Sequence, residues 1–114
     1  MQRKPRRHDG NHLDRIRVMP CLVCGSDTGC EAAHVRYSDL SIAKPMSGFG
    51  MKPHDWFVVP LCSEHHRQQT NYGNEREWWK LANIDPVKVA LMLYVEGADF
   101  ERAEQIVRSA RMAA

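Results

Sequence analysis

This chain lacks any apolar stretch long enough to cross a bilayer. Its longest run, residues 89–95, falls far short of the roughly 20 residues a membrane helix needs. It also lacks a hydrophobic segment behind its N-terminal charges, so the pattern of a secretory leader is missing. A cytoplasmic protein is expected, in a compartment where disulfides are rare. There is little excess charge of either sign, +2 at pH 7 with histidine neutral, so global charge names no partner. There is no internal repeat and no low-complexity tract. With 114 residues the chain has room for one domain and a small core, to which a metal staple has something to contribute.

What is present is four cysteines and six histidines, in a chain whose 43% hydrophobic and 26% charged residues are ordinary for a globular protein. The densest chemistry lies in Pro60-Leu61-Cys62-Ser63-Glu64-His65-His66-Arg67. Cys62 and His65 present a thiolate and an imidazole about one turn apart, half of a tetrahedral zinc site. Cys21-Leu22-Val23-Cys24-Gly25 supplies the other half, with the same gap and a glycine where the chain must turn. Cys21, Cys24, Cys62 and His65 therefore read as one closed structural zinc site. Cys30 competes for the fourth position, and His66 competes with His65. If His65 takes the metal, His66 is left for other work.

Residues 1–11 carry Arg3, Lys4, Arg6 and Arg7 beside Pro5 and Gly10 without periodicity. They read as a basic disordered arm, either a phosphate contact or a solvated tail. Residues 12–114 read as a single domain. A short helix is expected over 12–19, ended by Pro20. Residues 30–37 read as a strand with His34 and Arg36 on one face and Ala33, Val35 and Tyr37 on the other. A long loop follows over 38–55, then a strand over 56–61. Ser63 is the expected cap of a helix running to about Tyr72 and stopped by Gly73. The remainder, 75–112, is helical. Trp78 and Trp79 are expected in the core beside Leu81. Asp85-Pro86 starts a helix with Val87, Leu91 and Val95 on its inner side. Asp99 caps the last, whose stripe is Phe100, Ala103, Ile106, Val107 and Ala110. His8, His12 and His54 read as surface residues. The fold class is α+β, with a ββα core over about 21–73 followed by C-terminal helices.

Ala33-His34, followed by Leu61-Cys62-x-x-His65-His66, resembles the HNH nuclease pattern, in which a histidine ends the first strand and a ligand–x–x–ligand–His run opens the helix. More closely, the chain resembles the phage recombination-enhancement nucleases that act with RecA. The similar features are the basic arm before Pro-Cys-x-x-Cys-Gly and Glu31-Ala32-Ala33-His34-Val35-Arg36. Gly48-x-Gly50-x-Lys52-Pro53-x-Asp55 and Val59-Pro60-Leu61-Cys62-x-x-His65-His66-Arg67 also match, as does Gly73 with Glu75 and Trp78 or Trp79. The resemblance covers roughly residues 3–95.

The resemblance implies an endonuclease that hydrolyses DNA phosphodiester bonds. It makes His34 the general base, His66 the ligand of a catalytic Mg²⁺ or Mn²⁺, and Asp55 a residue that orients the base or the metal. It places Arg36, Lys52 and Arg67 near phosphates, and Gly48 and Gly50 where backbone approaches DNA. It further implies a RecA filament as partner and single-stranded or displacement-loop DNA as substrate. Two positions depart from the HNH pattern. Ala33 stands where many members have a metal-binding Asp, and Thr70 where many have a second helix histidine. Asp39 and Asp55 are candidates to compensate. The alternative is a zinc-stapled DNA-binding or adaptor module without turnover, and after it a zinc-stabilised interaction domain.

Overall fold

In the computed structural model of the protein, residues 10–27, 29–37 and 56–114 are described. Among them lie five helices and two strands: α1 (Gly10–Arg17), β1 (Cys30–His34), β2 (Val58–Cys62), α2 (Ser63–Asn71), α3 (Glu75–Ala82), α4 (Pro86–Glu96) and α5 (Phe100–Met112). The result is a small mixed α+β domain.

β1 and β2 form an antiparallel pair in which Cys30 lies opposite Cys62 and His34 opposite Val58. The Val35 N–H donates to the Phe57 carbonyl at 2.8 Å and carries the pairing one residue further. β2 is buried on both faces, with Val58, Val59 and Leu61 at 0% exposure, because α1, α2 and α4 all pack against it. Pro60 has no N–H to offer a third strand, which suits a strand in a two-stranded sheet. Its carbonyl instead accepts from the Leu22 N–H at 2.9 Å, which ties the 21–25 turn to the strand.

The helix starts follow their caps. Asp85 Oδ1 accepts from the N–H groups of Val87 and Lys88, and Asp99 Oδ1 from those of Glu101 and Arg102. Each such cap is worth about 1 kcal/mol. Gly73, at φ +89°, ends the α2 segment in the left-handed region that glycine tolerates. Asn74 then caps α3, its Oδ1 accepting from the Glu77 N–H at 3.1 Å.

Several expectations are corrected. α1 starts at Gly10, inside the supposed disordered arm, and ends at Arg17. His12, read as a surface residue, is 1% exposed and meets Tyr94 of α4 edge-on, with centroids 5.0 Å apart. β1 stops at His34 rather than at residue 37, and β2 is shifted to begin at Val58. The cap of α2 is Cys62, whose Sγ accepts from the His65 N–H at 3.5 Å, and Ser63 is the first helical residue.

In α4 the inner side is Pro86, Val87, Val89, Ala90 and Leu93, whereas Val95 is 77% exposed. That helix is apolar nearly all round, so its sequence gives little direction to its burial. In α5 Ala103, Ile106 and Val107 are buried as expected, but Phe100 is 53% exposed at the first turn. Trp78 and Trp79 are both buried and meet edge to face at 4.9 Å. No helix among the described residues is long and apolar enough to cross a membrane.

Candidate metal centre and the cavity beside it

The 21–25 turn is closed by its own backbone. The Cys21 N–H donates to the Ser26 carbonyl at 2.8 Å and the Gly25 N–H to the Cys21 carbonyl at 2.9 Å, with Gly25 at φ +77°. The two cysteines are thereby brought beside the end of β2, where Cys62 and His65 face them. The ligand atoms of Cys21, Cys24, Cys62 and His65 all lie within 4.8 Å of one another. The Cys24 and Cys62 sulfurs are 3.9 Å apart, and His65 Nδ1 lies 3.1 Å from Cys62 Sγ and 3.9 Å from Cys21 Sγ. Sulfurs bound tetrahedrally at zinc–sulfur distance are about 3.8 Å apart, close to the Cys24–Cys62 spacing. All four cysteines are free thiols. This group could hold a metal such as zinc, with Cys21 buried and Cys24 exposed.

The thiols are not equivalent. Burial raises the Cys21 pKa, but N–H groups of Cys62, Cys24 and Val23 outweigh it, and the net shift is downward, toward the thiolate. At Cys24 burial prevails and the shift is upward. Cys30 stands apart: burial, then the neighbouring thiolates, push it up to about 11, and its Sγ donates to the Ser26 carbonyl at 3.3 Å. It is not one of the clustered donors. His65, not His66, completes the group.

His66 looks the other way because successive helical residues are turned by about 100°. His66, Gln69 and Thr70, at i, i+3 and i+4, share one face of α2. That face lines a cavity of about 340 Å³, closed on its other side by His34 and Arg36 from β1 and its continuation and by Gly73 and Glu75 at the start of α3. The Glu75 carboxylate accepts from the Arg36 N–H at 2.8 Å, holding the end of β1 against α3. Glu31 Oε1 lies 2.6 Å from His66 Nδ1.

The structure thus brings His34, His66 and Arg36 to one cavity and Cys21, Cys24, Cys62 and His65 to another site. Arg67 is exposed on α2 and does not line the cavity. Ala33 is fully buried, so its side chain belongs to the core rather than to the cavity, while Thr70 does line it. Asp55, Lys52, Asp39, Gly48 and Gly50, His8 and His54, and Arg3, Lys4, Arg6 and Arg7 lie outside the described residues. Among those described, the cavity does not gather three His, Cys or carboxylate donors closely enough to cage an ion by themselves. Sequence reading gave no role to Glu31, although it lies in the matching motif, or to Gln69. Glu31 carries a signal of its own, the one acid in β1. Gln69 is 5% exposed in a strongly polar helix, which nothing in its sequence neighbourhood announces.

A family model described as "Protein of unknown function (DUF968)" matches residues 2–81. An uncharacterized protein of Escherichia coli (strain K12), YdfU, is 30% identical over 70 residues, which cover 54% of this chain and 18% of that protein. The chain therefore spans less than a fifth of the length of this curated relative. No solved structure matches.

Proposed function

The chain belongs to the DUF968 family, whose function is unknown, and we propose that it is a metal-dependent DNA endonuclease of the HNH type. One observation supports this above the rest: His34 and His66 line the same cavity, while His65, next to His66 in sequence, faces three thiols. A zinc ion at Cys21, Cys24, Cys62 and His65 would then be structural, since protein donors fill all its positions. Bound there, it would hold β2 and the start of α2 against the 21–25 turn, and so set where His66 points.

In this proposal His34 acts as the general base. Its imidazole takes a proton from a water that attacks the phosphorus, and the P–O bond to the leaving oxygen breaks as the new one forms. His66 is the protein's contact to a divalent cation, Mg²⁺ or Mn²⁺, which when bound supplies positive charge to the crowded phosphate. Mg²⁺ keeps several waters and takes few protein ligands besides phosphate, so a sparse donor set is compatible with it. Arg36 offers a cation at the rim, and Asp55 is the further acidic candidate. The resemblance adds phage recombination as the setting, with a RecA filament as partner and single-stranded or displacement-loop DNA as substrate.

The test is nicking of supercoiled plasmid with Mg²⁺ or Mn²⁺, with and without a RecA–single-strand filament. Cleavage that requires a divalent cation is expected. A second reading, a zinc-stapled DNA-binding module without turnover, is favoured by one observation, the buried Ala33 and the Thr70 at positions where ligands would stand. Salt-sensitive DNA binding without cleavage under any cation would decide for it.

A further inference from the structure

We propose that Glu31 is a positioning residue for His66, holding its imidazole with the proton on Nδ1 so that Nε2 is presented to the cavity as the protein's ligand for a divalent cation. This deepens the endonuclease proposal and rests on it for the cation's role.

The contact between Glu31 Oε1 and His66 Nδ1 is 2.6 Å, at the short end for a charge-assisted hydrogen bond. The carboxylate bonds the imidazole directly, at hydrogen-bond distance. A ring whose Nδ1–H is engaged has its lone pair on Nε2, and His66 is a lining residue of the cavity that also holds His34.

The contact is a product of the fold. Glu31 pairs with Leu61 across the sheet, and β2 passes directly into α2, so the register of two strands carries the carboxylate to the first turn of the helix. Stability is a poor explanation for the pair. The side chains are 49% and 31% exposed, and ion pairs as open as this contribute little to stability. Orientation is the better one. Imidazoles that bind metals commonly donate their other nitrogen to a carboxylate, and losing that partner costs about 10–100-fold in metal affinity. Ala33, fully buried, leaves no carboxylate at its own position, and Glu31 would supply one through His66 instead.

The experiment uses the full, zinc-loaded chain as wild type, Glu31→Gln and Glu31→Ala. Ring-nitrogen NMR reads the tautomer of His66, assigned by its loss in His66→Ala, and Mn²⁺ titration reads affinity. Wild type is expected to carry the proton on Nδ1. Glu31→Gln, whose amide oxygen still accepts, keeps that tautomer and most of the affinity. Glu31→Ala releases the tautomer and weakens Mn²⁺ by about 10–100-fold, with zinc content unchanged. A wild-type proton on Nε2, no Mn²⁺ binding by wild type, or a Glu31→Ala variant unchanged in tautomer or affinity would overturn the proposal. Correct tautomers and affinities in a protein that never cuts DNA would instead count against the endonuclease reading alone.

Discussion

His65 and His66 are neighbours in sequence and end in opposite surroundings. His65 joins three sulfurs in a group of four protein donors whose atoms all lie within 4.8 Å of one another. His66 opens on a cavity of about 340 Å³ shared with His34, with one carboxylate behind it. The first arrangement suits an ion that holds structure; in the endonuclease proposal the second would serve an ion that keeps open positions. Only the roughly 100° between successive residues of one helix separates them, so whatever fixes the first also aims the second.

The comparison breaks most completely at the thiols. Cys62 is both a donor in the group and the cap of α2. Cys62→Ala, or removal of zinc by a chelator, is expected to abolish the cooperative melt seen by circular dichroism. Structural zinc contributes roughly 10–16 kcal/mol in small zinc-binding peptides, as much as the roughly 5–15 kcal/mol by which a whole domain is stable. The next largest effect falls on the other side of the helix. His66→Ala should lower plasmid nicking by about 100-fold or more, through loss of the cation's support, while zinc content and melting temperature stay near wild type. Loss of zinc in that variant would mean that the two faces are one site.

A smaller effect sharpens the zinc side alone. Gly25 sits at φ +77°, and a Cβ there would come within 3.0 Å of the Arg111 guanidinium, which donates to the Cys21 carbonyl at 3.4 Å. Gly25→Ala should cost about 1–2 kcal/mol by denaturant melt, chiefly from backbone strain, and leave the zinc stoichiometry intact. The smallest effect is a control. Val95→Lys, on the exposed side of α4, should change stability by no more than about 0.5 kcal/mol.

Much of the zinc-side geometry was legible because it is local. Two donors separated by two residues must lie close together, whatever the rest of the chain does, and Asp85, Asp99 and Gly73 mark their helix ends through bonds or dihedrals within a few residues. The pairing of the two half-sites needed only the charge and softness of the ligands. What was illegible is long-range. His12 is buried because α4 places Tyr94 beside it, and the contact between Glu31 and His66 exists because of strand register. The inner face of α4 could not be read because nearly every residue on it is apolar. Cys62 displaced Ser63 as cap because its sulfur serves the backbone and the donor group at once.

The most direct measurement is a nicking assay on supercoiled plasmid, zinc-loaded wild type beside His34→Ala, at equal zinc content and with Mn²⁺ or Mg²⁺ present. If the shared cavity is where a phosphodiester is cut, wild type relaxes the plasmid and His34→Ala does so about 100–10,000-fold more slowly. Equal cleavage by the two proteins, or none by either with every cation tried, would contradict the account.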